Sequence, residues 1–244
     1  MATVTKKNRT SKEIQKFMEK VYSKAEEEIK EYMYQMNKTD EEIRKLMECA
    51  NFIYEIDKSS REFDEAERFI VIAVLNMISK DDEWIERFIE EYFDGSLKEM
   101  LEFYGYFIDE DDRKAIINRT FKGFNYKQRI KKNQKAINKR IENRIKTSIR
   151  RKNSLKNIEH WLRGSRRMSF KRAKELLVSE LSRIFSDAFI QINKDQILIY
   201  NSVLEENTCA DCKDMHGTLF KAKDAKDIIP QHTNCKCYWE IYIN

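Results

Sequence analysis

The chain has 244 residues, 36% of them Asp, Glu, Lys or Arg, with only 5 Gly, 1 Pro and a net charge of +5. So few turn-formers point to long helices and leave no glycine-rich phosphate loop. No charged segment followed by an apolar stretch opens the sequence, and its longest apolar run, residues 69–78, is too short for a bilayer, so neither a secretion signal nor a membrane span is expected.

The first predicted helix opens at Thr10-x-x-Glu13, the form of a capping box. Ile14, Phe17, Met18, Val21, Tyr22, Ala25, Ile29, Tyr32, Met33 and Met36 then recur on one helical stripe. Thr39-x-x-Glu42 repeats the capping pattern before Ile43, Leu46, Met47, Ala50 and Ile53, with Cys49 expected as a small buried residue. Residues 69–75 are apolar all round, as a central buried helix would be. Trp84, Ile85, Phe88, Ile89, Tyr92 and Phe93 form a further face, which Gly95 is expected to interrupt.

Charge is segregated along the chain. Residues 81–112 carry a net of −11, and residues 127–174 a net of +17. Within the basic stretch Ile130, Ile137, Ile141, Ile145 and Ile149 give one helix side its apolar face. The other side presents Lys131, Lys132, Lys135, Lys139, Arg140, Arg144, Arg150 and Arg151. Such a lattice suits a polyanion: a nucleic-acid backbone, whose counterions it would release, or an acidic protein surface. A membrane suits it less, because the apolar face has neither Trp nor Phe. Gly164 is expected to break the helix, with another starting near Ser169 and packing through Phe170, Leu177, Leu181, Ile184 and Phe189. After that, residues 196–204, 218–220 and 238–242 read as short strands.

Four of the five cysteines lie among these strands. Cys209-x2-Cys212 and His232-x2-Cys235 are two ligand pairs separated by 19 residues, followed at once by Cys237. A tetrahedral zinc ion takes four S or N donors from two short turns, and these five candidates exceed that need by one. Cys209, Cys212, His232 and Cys235 are the expected set; Cys237 either replaces one of them or packs alongside. His216 is a weaker candidate. Four donors close the coordination sphere, so the zinc is expected to be structural rather than catalytic. Three short strands bury little surface, and zinc supplies folding free energy on the order of 10–16 kcal/mol in small finger peptides.

The same residues carry a resemblance. Ile197-Leu198-Ile199-Tyr200, Glu205-Glu206-Asn207-Thr208-Cys209-Ala210-Asp211-Cys212, Met215-His216-Gly217-Thr218-Leu219-Phe220, and the run from Pro230 through His232 and Cys235 to Cys237 are similar to the C-terminal signature of the phage Mu F-like minor head proteins. Ala173-Lys174-Glu175-Leu176-Leu177-Val178-Ser179-Glu180, with Ala188, resembles that family's preceding helix. The resemblance covers about residues 121–240. It implies a minor head protein of a tailed phage or prophage, associated with the portal protein and other head proteins and engaged in head assembly and in DNA packaging or delivery. Such a protein is made in the host bacterial cytoplasm and ends in the virion. Packaged double-stranded DNA is then a natural partner for the basic helix.

The expected architecture is mainly α: a helical region at 1–120, a basic helical part at 121–194, and a small zinc-stabilised α+β module with about three strands at 195–244. No catalytic residue, small-molecule substrate or membrane is expected. The alternative is a treble-clef metal-dependent nuclease or nucleic-acid-binding protein. It would need a general-base histidine outside the zinc sphere, and His160 and His216 stand in no recognisable motif.

Overall fold

The computed structural model describes residues 9–35, 37–203 and 208–243. Met36, Leu204 and the acidic turn Glu205, Glu206 and Asn207 lie outside them, as do the side chains of Tyr32 and Met33. The order of elements is α1 (Ser11–Gln35), α2 (Asn37–Cys49), a 3-10 turn, α3 (Arg61–Tyr104), α4 (Glu110–Asn118), α5 (Tyr126–Arg150), α6 (Leu155–Ile192), β1 (Ile197–Asn201), α7 (Ala210–Met215), β2 (Leu219–Lys221) and β3 (Tyr238–Ile241). The protein is thus mainly helical with one small antiparallel sheet, in the order β2-β1-β3. No helix among the described residues is long and apolar enough to cross a membrane.

Two compact units share these elements. Unit 1 comprises Met1–Glu27, Phe88–Lys127 and Lys174–Asn244; unit 2 comprises Glu28–Arg87 and Gln128–Ala173. In unit 1, α1 begins as its capping box requires: the Thr10 amide donates to the Glu13 carboxylate at 2.9 Å and the Glu13 amide to the Thr10 hydroxyl at 3.3 Å. Aromatic pairs then join the distant segments: Phe17 stacks on Phe103 at 4.5 Å, Phe93 meets Tyr126 edge-on, and Tyr104 meets Phe189. Asp109 caps α4 by accepting from the Asp112 amide. The Ser11 hydroxyl donates to Glu240 of β3 at 2.9 Å, across 229 positions of sequence.

Unit 2 is built on one apolar cluster, in which Ile43, Met47 and Ile53 pack with Phe63, Ile70 and Val74 of α3, Ile141, Ile145 and Ile149 of α5, and Ile158 and Leu162 of α6. The isoleucine stripe of the basic helix therefore faces a protein core. Arg166, almost fully buried, is paired with Asp40.

Several local expectations fail for physical reasons. Neither Gly95 nor Gly164 breaks its helix: α3 runs on to Tyr104 and α6 spans Leu155–Ile192. A helical glycine costs only about 1 kcal/mol relative to alanine, and around Gly95 the buried Phe93, Ser96 and Leu97 hold the segment in place. The reversal between α5 and α6 comes earlier, where Lys152 adopts a left-handed φ of 53°. Its amide donates to the Ile149 carbonyl and that of Asn153 to the Ser148 carbonyl, a Schellman ending with lysine where glycine is usual. Thr39 lies inside α2 rather than capping it. The apolar run 69–75 is not buried all round: Ile70, Val71 and Val74 are, whereas Phe69 is 62% and Ile72 47% exposed. Cys49, expected to be buried, is exposed.

Two substitutions test this account. A β-carbon at Gly95 meets nothing within 4 Å, so Gly95→Ala is expected to add about 0.5–1 kcal/mol to unfolding free energy. Lys152→Gly relieves a left-handed penalty of about 1 kcal/mol. Urea unfolding should show both gains, and a loss at either position would contradict the helix geometry described.

Candidate metal centre

The centre lies in unit 1, at one end of the three-stranded sheet. β1 pairs with β2 from Ile197 opposite Lys221 to Ile199 opposite Leu219, and with β3 from Leu198 opposite Ile241 to Asn201 opposite Tyr238. Alternation along β1 buries Leu198 and Tyr200. Tyr200 and Phe220 each meet the buried Trp239 edge-on, at 5.6 and 5.5 Å.

Beyond β1 the chain enters α7, and Cys209 occupies its N-cap position. The Cys209 sulfur accepts from the Cys212 amide at 3.4 Å, so the helix start aims both sulfurs of the C-x2-C pair to one side. The second knuckle follows Pro230. Asn234 takes a φ of 64°, a left-handed conformation that asparagine tolerates better than most residues, and this brings Cys235 round.

Two groups of donors result. Cys209, Cys212 and His232 have their donor atoms within 4.8 Å of one another, and so do Cys212, Cys235 and Cys237. All five predicted residues thus come together, with Cys212 common to both groups. Its sulfur is 3.3 Å from the His232 Nε2 and accepts from the Tyr200 hydroxyl at 3.5 Å. The other histidine nitrogen, Nδ1, is 2.8 Å from the Thr233 carbonyl oxygen. A carbonyl only accepts, so Nδ1 carries the proton and Nε2 presents its lone pair to the cluster, the tautomer a metal ligand needs. His216 stands apart: its Nδ1 accepts from the Ser202 amide at 3.2 Å.

Cys212, Cys235 and Cys237 shift one another's ionisation. The hydrogen bond from Cys237 holds Cys235 well below the ordinary thiol range, at about 5. The same bond drives Cys237 in the opposite direction, and burial pushes Cys212 up to about 11. A buried set with one favoured thiolate and further thiols that resist ionisation is completed chemically by a cation, which stabilises the remaining negative charge. The donors therefore fit a metal ion.

Serines of α6 hold the second knuckle. Ser179 accepts from the Asn234 amide at 2.7 Å and donates to the Glu175 carbonyl. Ser182 donates to the Cys235 carbonyl, which leaves the Tyr22 hydroxyl to donate to Ser182 at 2.8 Å. Ser186 accepts from the Trp239 indole at 2.8 Å. The resemblance places Ser179 and Glu180 on a helix of the family type but points to no role for Ser182 and Ser186. The available signal was the recurrence of serine at 179, 182 and 186, which places the three on one helical face.

Beside them lies a buried charge network. Arg183, fully buried, donates to Glu180 at 2.7 Å, to Asp187 at 2.8 Å, and to the carbonyls of Ile116 and Ile117 at the end of α4. Arg119 also holds Asp187, at 2.6 Å, and reaches Asp227 at 2.6 Å. Burial pushes the Asp187 carboxyl above the usual range, against the pull of both guanidiniums.

The predicted polyanion-contact residues all lie on α5 or immediately after it, in unit 2. Lys131, Lys132, Lys135, Lys139, Arg140, Arg144, Arg150 and Arg151 are exposed. They are not equivalent. Arg150 is committed to Glu67 at 2.7 Å and Asp64 at 3.0 Å, and Arg144 lies 5.8 Å over the Trp161 ring.

Residues 122–240, just under half the chain, match the family model described as phage Mu protein F like protein. Over these residues the chain is similar to the phage Mu F-like proteins. The Mu F-like segment runs from the residues just before α5 to β3, and so contains the basic helix, the α6 serines and every donor of the metal centre. No curated protein and no solved structure matches the chain.

Removing the Arg183 guanidinium would strand Glu180 and Asp187. Arg183→Met is therefore expected to cost about 3–5 kcal/mol of stability, the usual scale for breaking a buried ion pair. Denaturant titration of the variant checks it; a cost below about 1 kcal/mol would mean that the network holds nothing together.

Proposed function

We propose that this chain is a minor head protein of a tailed phage or prophage, with a structural rather than catalytic role in head morphogenesis. In this reading it joins the portal protein and other head proteins at the portal vertex or inside the head, and acts in DNA packaging or delivery. It is made in the host cytoplasm and carried in the virion. The observation that carries the reading is the Mu F-like segment, which includes the helix that presents unpaired cations. Lys131, Lys135, Lys139, Arg140 and Arg151 have no ion pair among the described residues, and a row of that kind neutralises phosphates without reading sequence.

The metal in this proposal is zinc, held by Cys209, Cys212, His232 and one sulfur of the Cys235 and Cys237 pair. Soft thiolates with one imidazole suit zinc over the oxygen-seeking cations. Bound there, zinc supplies cross-linking of the two knuckles. The protein's own groups orient the donors: the Thr233 carbonyl fixes the histidine tautomer, and Ser179 and Ser182 fix the second knuckle.

Two measurements test these proposals. Elemental analysis should find about one zinc per chain, which Cys212→Ser should lose and Cys49→Ser retain; full retention in Cys212→Ser would sink the assignment. On plasmid DNA the protein is expected to give a retarded band that dissociates as salt rises. Combined Lys131→Ala, Lys135→Ala and Lys139→Ala should reduce the salt slope by about 2–3. A salt-independent complex would remove DNA as the partner, and cleavage of the plasmid with magnesium or manganese would replace the structural role with a nuclease.

A further inference from the structure

A groove lies between α5 and α6 in unit 2. Its volume is about 300 Å³, and an adjoining stretch of about 480 Å³ continues it past Trp161 towards Thr147. The floor is apolar, formed by Ile137 and Met168, the latter 47% exposed, over the buried Ile141, with Trp161 beside them beneath Arg144. Both helices bring cations to its lining, Arg140 from α5 and Arg172 from α6, with Lys139 and Arg144 along the extension. Among the described residues no carboxylate lines it. The two acidic side chains of these basic helices in unit 2 are engaged elsewhere, Glu142 with Lys146 at 2.7 Å and Glu159 with Arg163 at 2.6 Å. Arg140 and Arg172 have no ion pair among the described residues.

We propose that this groove docks an acidic amphipathic polypeptide segment, with apolar side chains on the floor and carboxylates against the rim guanidiniums. Charge complementarity selects an anionic occupant, and guanidiniums bind carboxylates in a forked, bidentate way. The floor then selects among anions. Duplex DNA offers a dense phosphate surface with nothing to cover Ile137 and Met168. An unpaired base would need an open ring on which to stack, whereas Arg144 already lies over Trp161 at 5.8 Å. A helical peptide with apolar residues at i, i+3 and i+4 and glutamates beside them matches both floor and rim. The groove shares Lys139 and Arg140 with the proposed DNA-contact row, whereas Lys131 and Lys135 belong to that row alone and do not line the groove.

The test uses the full chain and three fluorescein-labelled probes of equal charge: an amphipathic peptide of glutamate and leucine at helical spacing, an oligoglutamate, and an oligothymidylate. Anisotropy is expected to show the leucine-bearing peptide binding about tenfold tighter than oligoglutamate, the scale of one or two buried apolar side chains. Arg140→Ser with Arg172→Ser should weaken the peptide about tenfold or more, and Met168→Glu on the exposed floor should remove its preference over oligoglutamate. Lys131→Ala with Lys135→Ala should leave peptide binding unchanged while weakening DNA, so the two surfaces can fail separately. Equal binding of oligoglutamate would reduce the groove to a charged surface. Tighter binding of oligothymidylate, lost with Arg140 and Arg172, would make it a single-strand site; either result overturns the proposal.

Discussion

The Arg183 guanidinium is the constraint on which unit 1 depends. A helix end leaves its last carbonyls without partners, and α4 ends inside the protein, so its Ile116 and Ile117 carbonyls need a donor. Arg183 supplies it from α6, while Glu180 and Asp187, on the same helix, balance its charge. Arg119 then extends the balance to Asp227, in the loop that precedes the second knuckle. One buried cation thus fixes α4, α6 and the approach to the metal centre together, and α6 turns its serines towards Asn234, Cys235 and Trp239 from that position.

The metal centre itself is over-supplied with donors. Three sulfurs crowd one another beside Tyr200, and a fourth sulfur and an imidazole lie within 4.8 Å of the Cys212 sulfur. Without a cation such crowding disfavours ionisation of Cys212 and Cys237, as the opposite directions of their shifts and that of Cys235 display. The sheet has an anchor of its own, because Trp239 is buried against Tyr200 and Phe220 and held by Ser186.

Much of this was legible in the sequence where the signal is local and repeated. The isoleucines of α5 recur at helical spacing and all but the partly exposed Ile137 are buried; the cysteine pairs have ligand spacing and converge; the Thr10 and Glu13 box caps its helix as written. What was illegible depends on partners far along the chain. Gly95 looks like a stop only until the buried neighbours of its helix are known. Residues 69–75 look buried all round, yet Phe69 and Ile72 fall on the side of α3 that the unit 2 core does not cover. Arg150 reads as one more exposed cation, and only the fold brings Asp64 and Glu67 to it. The Ser179, Ser182 and Ser186 row has no meaning until the second knuckle arrives beside it.

The Ser11 to Glu240 hydrogen bond has a consequence for the order of events during synthesis. Unit 1 joins the first helix, a middle segment and the final strand, so its contacts have very large sequence separation, and such contacts form late. Unit 2 draws only on residues 28–173 and can close its isoleucine core while the remainder is still on the ribosome. During that interval α1 and α4 have apolar faces without their partner from α6, and the C-x2-C thiols emerge before His232 and Cys235. A product truncated before residue 174 would keep every residue of unit 2 and lack the α6, sheet and cysteine contributions to unit 1.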